Sequence, residues 1–231
     1  MKMPPKTSGS ELLLRKYGIY HLSRLKAREE TKQQASAFGK IQTDLEKKYF
    51  DRLEKEEASD IITGKMNWAE YELYNAIRKF SFTLLSLHHN NRKAMEYQKY
   101  FPEGLSLYSS LTNQKGKDAL AFLFHQIEKE ENEFIAEFKT ELEEKRTAFS
   151  EAQKEKEEAE LVTDKSFIEE LESRTKWLYA YRSNQLSLLQ IYQHDKRAVD
   201  VFFRKLKKKR KKEEQVDEVK EAKKEETPPA K

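Results

Sequence analysis

Between Lys117 and Glu160 the chain has neither glycine nor proline, and large side chains recur there at helical spacing. Leu120, Phe124, Ile127, Phe134, Phe138, Leu142 and Phe149 follow one another at steps of three, four or seven, which keeps them on one stripe of a helix. Glu131 and Lys145 occupy the seam positions that lack an apolar residue. Glutamates and lysines surround the stripe, as on the solvated side of an amphipathic helix. Nothing local stops such a helix, so the longest helix of the chain is expected within residues 117–161.

Leu161-Val162-Thr163-Asp164-Lys165 reads as a turn, because Ser166 with Glu169 forms a capping box for a return helix. The return seam is Phe167, Leu171, Arg174, Leu178, Tyr181, Gln185, Leu188 and Tyr192, alternating four and three as in a coiled coil. Short helix connections imply antiparallel neighbours. A fold about residue 163 would set Phe149 near Trp177, Phe138 near Leu188 and Arg174 beside Glu151 and Glu155.

The earlier chain looks like a looser version of the same unit. Phe38, Ile41, Leu45, Tyr49 and Leu53 form one stripe, and residues 58–66 read as a turn, with Asn67 and Glu70 as cap. Leu73, Ile77, Phe80, Leu84 and Leu87 form the next stripe, which falters at His88-His89-Asn90-Asn91. A short piece ends before Pro102, another spans 105–111, and residues 10–25 read as a short helix or an extended lead-in. A displacement of 104 superposes Leu84-Leu85 on Leu188-Leu189 and residues 92–96 on 196–200. Duplication explains this echo; so do two unrelated hairpins obeying one periodicity.

The predicted fold class is therefore all-α: an antiparallel long-helix bundle built from two helical hairpins. The expected organisation is a flexible start over 1–9, a first hairpin with accessory helices over 10–112, a second over 113–203, and a disordered tail over 204–231. Six glycines and five prolines in 231 residues argue against a Gly-rich α/β enzyme.

No catalytic residue, metal ligand set or cofactor-binding motif is expected, and the chain is not read as an enzyme. Without cysteine there is no disulfide, thiolate zinc site or Cys nucleophile. His21, His88, His89, His125 and His194 include no Glu-x-x-His pair. The acidic cluster Glu128, Glu130, Glu131 and Glu133 reads as a solvated face rather than paired catalytic carboxylates. Tyr71, Tyr74, Phe80, Phe82, Trp177, Tyr179 and Tyr181 spread round their helices. Some belong to a core, and others, such as Phe82 or Tyr179, to a second contact surface.

The formal net charge of +4 hides an asymmetry. Arg204, Lys205, Lys207, Lys208, Lys209, Arg210, Lys211 and Lys212 place eight basic residues in nine positions. The segment that follows has net charge −3, and residues 1–203 have −1. The basic block suits non-specific contact with nucleic-acid phosphate. The primary expectation is a structural or interaction protein with a protein partner or self-association, and nucleic acid through residues 204–212 is the alternative. No apolar run is long enough to span a bilayer, and the start lacks a signal-peptide apolar region, so a cytoplasmic location is expected.

Overall fold

The computed structural model describes residues 4, 5, 7–130 and 133–204, with the side chain of 133 excluded. The chain is all-α, with no strand among the described residues. Its elements are α1 (Ser10–Leu12), a π turn (Leu13–Gly18), α2 (Ile19–Lys26), α3 (Lys32–Leu87), α4 (Met95–Gln98), α5 (Gln114–Glu128), α6 (Glu133–Ile191) and α7 (Lys196–Asp200). Two 3-10 turns, Glu29–Thr31 and Leu105–Ser109, precede α3 and α5. No helix among the described residues is long and apolar enough to cross a membrane.

The long helices α3 and α6 pack against each other in opposite directions. Lys48 pairs with Glu169, Arg52 with Glu170, Glu72 with Lys145 and Lys79 with Glu141, so residue numbers rise along one helix as they fall along the other. The chain reverses between Leu87 and Glu133, not at the two turns expected from the sequence. Residues 58–66 lie inside α3, and residues 161–165 lie inside α6. The expected contact of Phe149 with Trp177 is therefore corrected: 28 residues apart on one helix, they are separated by about 42 Å. The same correction holds for Phe138 with Leu188, 50 residues apart on α6, and for Arg174 beside Glu151 and Glu155.

Thr163, Ser166 and Glu70, three of the polar residues that suggested the turns, find partners within the helix or on another segment. Ser166 donates to the Thr163 carbonyl at 2.8 Å, and Thr163 to the Ala159 carbonyl at 2.9 Å, the back-bonding that lets hydroxyls sit inside helices. Glu70 caps nothing in α3; it accepts from the Leu111 backbone N–H at 2.7 Å. The expected long helix over 117–161 is likewise interrupted, since α5 ends at Glu128 and α6 extends to Ile191.

The chain divides into two compact units, and both long helices contribute to each. This differs from the expected division at residue 112. The unit formed by residues 47–173 has a core of Leu73, Ile77, Phe80 and Leu84 from α3, Leu123, Phe124 and Ile127 from α5, and Leu142 and Phe149 from α6. Tyr97 of α4, and Phe101 and Tyr108 from the segment between α4 and α5, add to it. Asn113 caps α5 by accepting from the Gly116 N–H at 2.7 Å. Glycine is required at 116, because an added Cβ would lie 2.0 Å from the Ser110 carbonyl oxygen.

The other unit joins residues up to 46 with those from 174. Its core holds Leu13, Leu14, Tyr17 and Leu25 with Phe38 and Leu45 of α3, Trp177, Tyr181 and Leu188 of α6, and Val199, Phe202 and Phe203. Trp177 stacks on Tyr181 with ring centres 5.0 Å apart and 14° between planes. Residues 10–26 are helical, with a π turn where Gly18 meets Gln42.

Both long helices end alike. His89 and Asn90 take φ of 52° and 61°, and Gln193 and His194 take 49° and 64°. The Asn90 N–H donates to the Leu85 carbonyl, and the His194 N–H to that of Leu189. Asn91 then accepts from the Lys93 N–H, as Asp195 does from that of Arg197.

Candidate interaction surface

In the unit formed by 47–173, α3 has two apolar faces. Met66, Leu73, Ile77 and Phe80 point into the core. Phe50, Leu53, Ile61, Trp68 and Tyr71 do not. At about 100° per residue these five fall within about 80° of one another, on the side opposite Leu73. All are exposed, Trp68 to 62% and Tyr71 to 53%. Phe82 continues the stripe, with the Arg78 guanidinium 5.1 Å from its ring centre. The Trp68 and Tyr71 rings lie 5.4 Å apart, and the indole N–H donates to Glu72 at 3.2 Å. On α6 the same unit exposes Leu161, Phe167 and Ile168.

The aromatics singled out from sequence divide cleanly. Phe80, Trp177 and Tyr181 are fully buried, Tyr74 is half-buried, and Tyr71, Phe82 and Tyr179 are exposed. The exposed ones occupy positions where an amphipathic helix ordinarily carries charge.

His21 is fully buried, and nothing but its type singles it out in the sequence. It lies in the unit of the two chain ends, four residues from both Tyr17 and Leu25 on one buried stripe. Phe38, Tyr181 and Phe203 surround its ring at 4.7–4.9 Å. Nδ1 lies 2.9 Å from the Phe202 carbonyl, which can only accept, so the proton is assigned there; Nε2 then accepts from the Asn184 amide at 3.0 Å. Burial holds its pKa down at about 4, against the weaker upward pull of the Phe202 carbonyl. Both nitrogens are occupied by structural partners.

His88 reaches Glu96 at 4.0 Å, and His89 and His194 sit in the left-handed turns after the long helices. No group of three His, Cys, Asp or Glu residues suited to a metal ion occurs among the described residues. Of the acidic cluster, Glu128 lies 3.8 Å from Arg146. Glu130 accepts from Lys99 and from the Tyr100 hydroxyl, and the Lys99 hydrogen bond, then that of Tyr100, holds its pKa below the usual carboxylate range. These contacts fasten the start of the α5–α6 connection to α4's flank. Glu131 and the side chain of Glu133 lie outside the described residues.

Of the basic block, Arg204 alone is described. Its guanidinium donates to the Lys16 carbonyl at 3.2 Å beside Tyr20 and Phe203. Residues 205–212, and the tail over 213–231 expected to be disordered, lie outside the described residues. Comparison of the chain with protein-family models, with curated proteins and with solved structures returned no match.

Proposed function

We propose that the chain is a non-catalytic interaction protein whose paired long helices act as a scaffold for a protein partner. The outward stripe of α3 carries this reading: five large apolar side chains, three of them aromatic, at helical spacing and each more than a third exposed. Scattered surface leucines are ordinary, but apolar side chains repeated along one face of a helix, here broken at Glu57 and Gly64, mark a contact surface. The engagement of both His21 nitrogens in holding the core together supports the non-catalytic part. A coiled-coil seam between α3 and α6 and a cytoplasmic location belong to the same reading.

The reading includes an internal duplication with a shift of 104 residues. Phe38 and Leu142, Leu45 and Phe149, Leu73 and Trp177, Ile77 and Tyr181, and Leu84 and Leu188 are buried at both members of each pair. The matching left-handed turns support it further.

The test is photo-cross-linking from residue 71 inside the source cells, in the natural chain and in a Trp68→Gln variant. A defined set of proteins captured by the first and lost from the second is expected. Identical captures in both overturn the reading. The second reading, phosphate binding through residues 204–212, rests on the eight basic residues of that block. Its test is a mobility-shift assay on random DNA and RNA at two salt concentrations, where binding must weaken as salt rises and vanish when Lys207, Lys208, Lys209, Lys211 and Lys212 become Gln.

A further inference from the structure

The outward stripe of α3 has a regular layout that narrows what covers it. Its positions are Phe50, Leu53, Glu57, Ile61, Gly64, Trp68 and Tyr71, at steps of three, four, four, three, four and three. This spacing reads almost the same in both directions. Laid antiparallel on itself, the helix brings Phe50 opposite Tyr71, Leu53 opposite Trp68 and Glu57 opposite Gly64, with Ile61 at the centre.

The flanking charges obey the same alignment. In an antiparallel helix pair each flank faces the equivalent flank of the other helix. Lys47, Glu54, Lys65 and Glu72 lie on one flank of the stripe, at about 40–60° from Phe50. The alignment sets Glu54 opposite Lys65, so opposite charges meet at these two crossings; it also brings Lys47 toward Glu72, which is already held by Lys145 at 3.1 Å and by the Trp68 indole at 3.2 Å. The other flank brings Asp60 near its own counterpart, a single like-charge contact at the solvated edge.

Gly64 adds an independent observation. Glycine weakens a helix interior, and here an added Cβ would meet nothing within 4 Å. Packing within the chain does not require a bare position. An antiparallel neighbour would use one, because the aliphatic stem of its Glu57 would cross the helix there.

We propose that the outward face of α3 over residues 50–71 binds a second copy of this chain, antiparallel and centred on Ile61. The proposal rests on the interaction-protein reading above and names the partner. With about 150–250 Å² for a whole aromatic side chain, the half-exposed stripe offers about 500 Å² per copy. A symmetric pair then buries about 1,000 Å² before its charged flanks are counted, the size at which specific interfaces begin.

The absence of cysteine makes single-cysteine reporters unambiguous. A short bismaleimide should link two full-length Ile61→Cys chains to each other. It should not link Phe50→Cys chains, whose thiols would lie about 30 Å apart, but should link Phe50→Cys to Tyr71→Cys in a mixture. In sedimentation equilibrium, Lys65→Glu should weaken the dimer at least about tenfold, a loss of about 1.4 kcal/mol, and Glu54→Lys in the same chain should restore it. Trp68→Glu should give a monomer with unchanged helicity and melting temperature. A natural chain that stays monomeric at about 100 μM, where even a weak interface would show, overturns the proposal. So does a dimer that cross-links through Ile168→Cys in place of Ile61→Cys. Either failure leaves the cellular capture experiment standing, whereas a dimer in which residue 71 captures only a second copy of this chain upholds the proposal and removes the scaffold for other proteins.

Discussion

At the scale of single residues, His21 and Gly18 show how a buried polar contact fixes what its neighbours can be. An unfolded imidazole takes up its proton near pH 6.5, but His21 in the folded chain does so near 4. Between those values the unfolded state binds more protons, so stability falls as pH drops through that window and gains nothing from this group above it. The full effect is about 3 kcal/mol. Urea titrations at pH 7 and pH 4.5 should show the loss in the natural chain and a smaller one in His21→Gln. Gly18 faces Gln42, whose Oε1 accepts from the Trp177 indole at 2.6 Å and whose amide reaches the Leu14 carbonyl at 3.4 Å. A Cβ at residue 18 would lie 2.1 Å from that Oε1. Gly18→Ala should therefore cost about 1–3 kcal/mol in thermal unfolding, as overpacking does. Neither role was legible in the sequence. The apolar stripe shows that His21 is buried, but its partners Asn184 and Phe202 are more than 160 residues away.

At the scale of elements, the sequence shows which residues are helical far better than where helices turn. The stripes of α3 and α6 are plain from spacing. The turns expected at 58–66 and 161–165 rested on Ser, Thr, Asp and Asn, which cap helix starts; Ser and Thr also survive inside helices when an upstream carbonyl accepts from their hydroxyls, as those of Ala159 and Thr163 do here. Gly64 is similarly ambiguous, since glycine can end a helix or be tolerated within one. The continuity of α6 predicts that Asp164→Pro will cost about 3 kcal/mol or more, measured by urea unfolding. In a surface turn the same change would be nearly neutral. The outward stripe of α3 was partly legible: Phe82 stood out as an aromatic for a second contact surface, and Tyr71 was among the aromatics whose face spacing alone did not decide. Its alignment became readable only once residues 50–71 were known to share one helix.

At the scale of the whole molecule, the decisive feature is that one unit is continuous in sequence and the other joins the chain's two ends. The all-α class followed from composition and periodicity. The choice of partner for each long helix did not, because two helices that echo each other at 104 residues offer nearly equivalent seams. The division predicts a sharp limit to truncation. A chain ending at Arg204 keeps every described contact. A chain ending at Val201 loses the Phe202 carbonyl that accepts from His21 and the Phe203 ring that meets Tyr181 edge-on at 5.1 Å. Its melting temperature should fall by several degrees or more, given about 3–5 kcal/mol for loss of a buried Phe side chain. The same division bears on synthesis. Domains usually fold from the N-terminus as the chain is made, yet Leu13, Leu14, Tyr17, Phe38 and Leu45 must wait for Trp177, Tyr181 and Phe203 before they are covered. The unit formed by 47–173 can be complete on the ribosome while the apolar side chains of the first segment are still bare.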